Sequence, residues 1–308
     1  MPAPDVRKPA GGLPSNGARH PRAPADELAK AESIPRVLTF RKPSEILELA
    51  SALDDSDMIL GERLLADSQP LTILGQGGIG KSRLVLQLVA CQILGADFIG
   101  MKTHGPPRKW LILQTENSNR RLSHDLTKLK QWAGTRWSEI DAKLVLHTLE
   151  TDDDSFVNVE TAGEAIESAL ATFQPEIVVF DPLNAFTSGD LNSDADMRAV
   201  CVRLSQLAKR GNPKRALIVL HHALTGRGGA SKATGFDRSS FGRNSKVLLA
   251  WTRGQINLSP ASEHDNETLV VSCGKNSNGR EFKQVGLSSF GQRNSGQSQW
   301  LSMLRPGP

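Results

Sequence analysis

From residue 71 onward the chain alternates short runs that are apolar throughout with longer stretches that are apolar on one side only. The short runs are LTILG (71–75), KWLILQTE (109–116), KLVLHTL (143–149), EIVVFD (176–181) and ALIVLHH (216–222). A strand buried on both faces shows no polar alternation, so these runs predict a parallel sheet with helices on both sides. Between them KSRLVLQLVACQIL (81–94), SNRRLSHDLTKLKQWAG (118–134), GEAIESALATF (163–173) and DADMRAVCVRLSQLAKRG (194–211) carry helical spacing, the second closed by Gly134. KVLLAWTR (246–253), ETLVVSCGK (267–275) and REFKQVGL (280–287) predict further strands in an antiparallel extension. Upstream, KPSEILELASAL (42–53) predicts a short helix, and MILGERLLADSQ (58–69) a lid or linker before the core. The fold class is therefore α/β, with no internal repeat and no second compact domain.

Composition adds an arm and removes some chemistry. Residues 1–42 are rich in Pro and Ala, basic and without apolar periodicity, which reads as a disordered arm before a single domain over 43–308. No apolar run approaches the roughly 18 residues of a membrane span, and MPAPDVRKPAGG has no apolar signal core, so a cytoplasmic protein with no membrane partner is expected. Cys91, Cys201 and Cys273 share no pair spacing and lie in apolar runs, as buried thiols do. The net charge of +4 hides a polarity: residues 1–42 carry +4, residues 43–202 carry −11 and residues 203–308 carry +11. A block as one-sided as the last suits a polyanion.

The first apolar run breaks into Gly75-Gln76-Gly77-Gly78-Ile79-Gly80-Lys81-Ser82, followed by Arg83 at the start of a predicted helix. This is the eight-residue phosphate-loop pattern in its required strand–loop–helix setting. Glycines let backbone N–H groups curl around a phosphate, the helix N-terminus adds positive dipole, Lys81 reaches the β- and γ-phosphates, and Ser82 can ligate Mg2+. Asp181 ends an apolar strand, where its carboxylate can reach the metal shell. Glu116 ends the strand after the phosphate-loop helix, placed to orient or deprotonate a water. ALIVLHH ends in His221 and His222, one of which is placed to sense the γ-phosphate.

These four strand ends together resemble the RecA-like ATPases, and most closely the RepA-type hexameric replicative helicases of plasmids. The matching residues are GQGGIGKS, Glu116, FDPLNAF with its loop through Asn192, and His221-His222-Ala223, and the resemblance spans about residues 60–285. It implies a RecA-like core, ATP and Mg2+ as cofactors, and a homo-oligomeric ring. The segment LTGRGGASKATGFDRSSFGRNSK (224–246) would then face single-stranded DNA through Arg227, Lys232, Arg238 and Lys246. Lysine and arginine neutralise phosphates without reading sequence. Phe236 and Phe241 alone offer stacking surfaces there, and the chain contains no tyrosine.

The resemblance also implies a cation supplied in trans to a neighbour's site, with Arg243, Arg253 and Lys275 as candidates and Arg253 preferred. Related helicases often have Lys-x-Arg-x-Gly at the last of these, where this chain has Ser277 in place of the arginine. Three readings follow. The first is an ATP-driven translocase or helicase in plasmid or phage replication. The second is a RecA-like ATPase with a regulatory, recombination or defence role on DNA, working with replication or regulatory protein partners. The third is a non-catalytic binding oligomer gated by nucleotide.

Overall fold

The computed structural model describes residues 39–51, 55–149, 159–224, 232–242, 246–262 and 265–288. The expected N-terminal arm up to residue 38, together with Arg227 and Arg243, lies outside them. The chain divides into two compact units, Met1–Leu53 and Asp54–Pro308. In the first, helix α1 (Pro43–Ser51) opens on a hydrogen bond from the Lys42 N–H to Glu45 Oε2, 3.0 Å. Its Ile46, Leu47 and Leu49 are exposed.

The second unit begins with a short antiparallel pair, β1 (Met58–Leu60) and β2 (Leu65–Ala66). It continues through β3 (Pro70–Gly75), α2 (Lys81–Leu94), β4 (Trp110–Gln114), α3 (Asn119–Ala133), α4 (Trp137–Asp141), β5 (Leu144–Leu146) and α5 (Val159–Phe173). Then come β6 (Ile177–Asp181), α6 (Asp194–Lys209), β7 (Ala216–His222), α7 (Lys246–Trp251), β8 (Gly254–Ser262), β9 (Asp265–Asn276) and β10 (Val285–Ser288). Eight of the strands form one sheet in the order β10-β9-β8-β3-β7-β6-β4-β5. The six from β8 to β5 are parallel; β9 is antiparallel to β8, and β10 antiparallel to β9.

Alternation within the apolar runs splits the core into two layers. Trp110, Ile112, Ile177, Val179, Ile218 and Leu220 pack with α2 and α4 on one face. Leu111, Leu113, Val178, Phe180, Leu217 and Val219 pack with α5 and α6 on the other. Both faces are dry, which is why β4, β6 and β7 read as unbroken apolar runs. Every residue of α2 from Leu84 to Ile93 is buried, so its sequence shows little polar face. The three cysteines are buried, and burial pushes their thiols up to about 11 (Cys91), 12 (Cys201) and 11 (Cys273). They are inert packing groups.

Two expected elements differ. MILGERLLADSQ is no lid: Ile59, Leu60, Leu64, Leu65 and Ala66 are at most 2% exposed, and burying four aliphatic side chains of this size stabilises by about 1.5–3 kcal/mol each. KVLLAWTR is helix α7 rather than a strand, because Leu248 packs on the α6 layer while Trp251 Nε1 donates to Ser205 Oγ at 3.0 Å. Lys275 Nζ then donates to the carbonyls of Leu249 and Thr252, both at 2.8 Å, and closes the helix.

The true strand begins at Gly254, and its alternating residues Gln255, Asn257 and Ser259 are polar yet buried. Gln255 Nε2 donates to the carbonyls of Arg238 (3.1 Å) and Ser239 (3.2 Å), and Asn257 Nδ2 to those of Ala233 (3.3 Å) and Arg238 (2.7 Å). Ser272 Oγ also donates to the Ala233 carbonyl. The stretch 232–242 is thereby hung from the sheet. Its Phe241 is 1% exposed and packs with Leu74, Ala223 and Ala233.

Gly254 is also where the β1–β2 pair docks: a Cβ there would lie 2.1 Å from the Leu64 carbonyl oxygen. Gly254→Ala is expected to lower stability by roughly 1–3 kcal/mol through forced displacement of that backbone. Urea denaturation measures it, and an unchanged midpoint would show that the pair yields at no cost.

Candidate active site

The phosphate loop leaves β3 at Gly75, whose Cβ would stand 2.9 Å from the Leu258 carbonyl oxygen and 3.0 Å from Ile79 Cγ2, so a side chain has no room. Gly78 (φ +73°) and Gly80 (φ +103°) adopt backbone conformations that side chains disfavour, and space is open where their Cβ atoms would be. The result is a turn with its concave side clear at the N-terminus of α2. Lys81 is 7% exposed, and its ammonium donates to the carbonyls of Gly75 (3.0 Å) and Gln76 (2.8 Å). Burial lowers its pKa, and Asp181 and Glu116 pull it back upward.

Ser82 Oγ donates to Asp181 Oδ2 at 2.5 Å, joining the first turn of α2 to the end of β6. Asp181 is 4% exposed, and burial pushes its carboxyl up to about 6. The Ser82 hydrogen bond opposes that rise, Glu116 adds to it, and Lys81 and Arg121 oppose it. Glu116 follows β4 by two residues, is exposed, and lies within electrostatic reach of both Lys81 and Asp181. His222 is the register partner of Gly75, and its Cε1 lies 3.9 Å from where a Cβ of Gly77 would be. His221, 1% exposed, pairs in register with Leu74, its ring centred 6.4 Å from that of His222.

The carboxyl ends of β3, β7, β6 and β4, consecutive in the sheet, thus bring Lys81, Ser82, Asp181, Glu116 and His222 to one crevice. An ionised carboxylate beside a hydroxyl supplies the hard oxygen ligands Mg2+ prefers, with phosphates completing the shell. Among the described residues no group of three or more His, Cys, Asp and Glu stands ready to chelate a metal, so no all-protein cage competes with that arrangement. The residues fit a nucleoside triphosphate with Mg2+.

Several sequence candidates have other partners. The Arg83 Nε stands 3.0 Å from both carboxylate oxygens of Asp125, tying α2 to α3. Arg238 Nε donates to the Cys273 carbonyl (2.8 Å), and its guanidinium pairs with Glu281. Lys275 closes α7, as described above. Arg253 is exposed, and its N–H donates to the Pro70 carbonyl at the start of β3, the end of the sheet opposite the phosphate loop. Lys246 is exposed and Lys232 half-buried. Phe236 stands fully in solvent, whereas buried Phe241 offers no stacking surface. Arg121, which acts electrostatically on Asp181, carries no local signal beyond its place five residues after Glu116. Gln114 is marked only as a polar residue closing an otherwise apolar strand.

The strand order and the crevice define a phosphate-loop NTPase with a RecA-like core. The AAA domain family model matches residues 42–228, more than half of the chain, and the chain belongs to that family of ATPases. Among solved structures it is similar to a KaiC-like protein from the hyperthermophilic archaeon Pyrococcus horikoshii OT3, with 13% identity and a TM-score of 0.47 over 76% of this chain and 93% of that one. No curated protein matches. Among the described residues no helix is long and apolar enough to cross a membrane.

Proposed function

We propose that the chain is an ATP-hydrolysing motor of the RepA helicase type, a homo-hexameric ring moving on single-stranded DNA in plasmid or phage replication. The observation that carries this reading is the meeting of Lys81, the Ser82–Asp181 pair, Glu116 and His222 at four neighbouring strand ends. The backbone of residues 75–81 cradles the phosphates, and Lys81 trades its two carbonyl partners for phosphate oxygens. Ser82 and Asp181 would hold Mg2+, which would supply positive charge to neutralise the phosphates. Glu116 orients the attacking water and takes its proton, and His222 lies against the loop at Gly77, placed to pass the state of the site into β7.

Arg253 supports a ring. β3 separates it from its own phosphate loop by roughly 17 Å, more than an arginine side chain spans, which suits a cation acting on a neighbour's site. The basic block after residue 203, exposed Lys246 and exposed Phe236 support a nucleic-acid partner.

Single-stranded DNA is expected to stimulate ATP turnover at low salt and to lose that effect as salt rises. Lys246→Gln is expected to weaken DNA binding and to reduce the salt slope by about 1. Turnover indifferent to DNA at low salt would remove the motor reading. A forked duplex left unopened by a DNA-stimulated enzyme would move the assignment to an ATPase acting on DNA without unwinding.

A further inference from the structure

Glu116 sits on a turn between β4 and α3, with its side chain in solvent, so its aim depends on how the backbone on either side is held. On one side Thr115 donates its N–H to the carbonyl of Asp181 at 3.1 Å. On the other, Asn117 is held by one side chain. Gln114 Oε1 accepts from the Asn117 N–H at 2.7 Å, and Gln114 Nε2 donates to the Asn117 carbonyl at 3.2 Å. The same Nε2 donates to the His147 carbonyl at 3.0 Å, while His147 Nδ1 donates back to the Gln114 carbonyl at 2.7 Å. His147 is fixed in turn by its N–H, which donates to the Ile112 carbonyl at 2.8 Å. Gln114 is 1% exposed, so water does not compete for these bonds.

We propose that Gln114 is a positioning residue for hydrolysis: its carboxamide grips both polar groups of the Asn117 backbone, anchors them to the strand edge through His147, and so fixes the direction in which Glu116 presents its carboxylate. The grip needs an acceptor and donors on one planar group at glutamine's length. Glutamate supplies the acceptor alone when ionised, methionine supplies neither at similar volume, and asparagine is one methylene short. The hydrogen bonds of the Gln114 side chain go to Asn117 and His147, while its backbone pairs in register with Asp181, a pairing that a side-chain substitution leaves in place. Loss of the side chain is therefore expected to act chiefly on the chemical step. The inference rests on Glu116 acting on the attacking water.

The test is a double-mutant cycle on the full chain, measuring kcat, KM for ATP and residual turnover for Gln114→Met, Glu116→Gln and the pair. Misplacing a catalytic group by about 1 Å costs up to roughly 100-fold, so Gln114→Met is expected to lower kcat about 10- to 100-fold with KM for ATP within about twofold. In the Glu116→Gln background the same change is expected to lower turnover less than about twofold, because no carboxylate remains to be aimed. Should Gln114→Met fail to fold, Gln114→Glu, which keeps the 2.7 Å acceptor, goes through the same cycle with a smaller expected loss. Retained kcat, a KM that rises in step with the loss, or equal losses in both backgrounds would overturn the positioning role while leaving Glu116 in place. A Glu116→Gln protein with the parent's turnover would overturn Glu116 itself, and the role of Gln114 with it.

Discussion

Glu116→Gln is expected to lower ATP turnover by about 10²- to 10⁴-fold, the usual contribution of a general base, while nucleotide binding survives. Binding rests on the phosphate loop, Lys81 and Ser82, which belong to β3 and α2, whereas Glu116 lies beyond β4. Removing its charge also takes away an anion that repels Asp181 and would repel a triphosphate, so affinity is expected to hold or improve. Phosphate release measured beside the equilibrium binding of a fluorescent ATP analogue separates the two quantities. Parent-like release from the variant would leave the attacking water without an assigned base, and would favour the reading in which nucleotide only gates assembly.

Asp181→Asn is expected to do two opposite things: abolish Mg2+-dependent turnover and make the nucleotide-free protein more stable. Burial raises the Asp181 carboxyl from its usual 3.8 to about 6. A group whose folded pKa is raised binds its proton more tightly in the folded state, so for an acid the ionised form costs stability. That cost is fully present above about pH 6, shrinks as pH falls through 6 towards 3.8, and is gone below that. At about 1.4 kcal/mol per tenfold, it amounts to about 3 kcal/mol at pH 8. Asparagine carries no charge and keeps an oxygen to accept from Ser82. The variant is therefore expected to melt roughly 5–10 °C higher than the parent at pH 8, with the advantage fading near pH 4. Melting curves without nucleotide at both pH values check this. A gap independent of pH would mean that something other than the buried charge is responsible.

The two predictions also show why this site was readable in the sequence. Lys81 and Ser82 sit in a contiguous motif, and Glu116 and Asp181 are the first charged residues after runs that are otherwise apolar, so each announces a strand end. Parallel strands covered on both faces supply that signal because nothing polar survives inside them. The same physics hid β8, whose alternating Gln255, Asn257 and Ser259 look solvent-facing but are buried, the first two against the carbonyls of the 232–242 stretch. It also disguised α7, where Val247, Leu248, Leu249 and Trp251 are as apolar as a strand and only tertiary packing against Ser205 and Lys275 selects the helix. The intrachain roles of Arg83, Arg238 and Lys275 depend on Asp125, Glu281 and the Leu249 carbonyl, each distant in sequence, and no local pattern encodes such pairs. Gln114 was invisible for a similar reason, since His147 lies across the strand edge.

The suspension of residues 232–242 from β8 and β9 has a mechanical side. A load applied at Phe236 meets no slack: buried carboxamides hold the Ala233, Arg238 and Ser239 carbonyls, and Phe241 is wedged beside Leu74, the residue before Gly75. Each buried bond that let go would cost about 1–3 kcal/mol, so this stretch is held firmly to the sheet beside the residue that precedes the phosphate loop. If the proposed motor pushes on a strand through this stretch, stiffness of that kind would favour short strides under high force, because the tip would travel no farther than β8 and β9 beneath it.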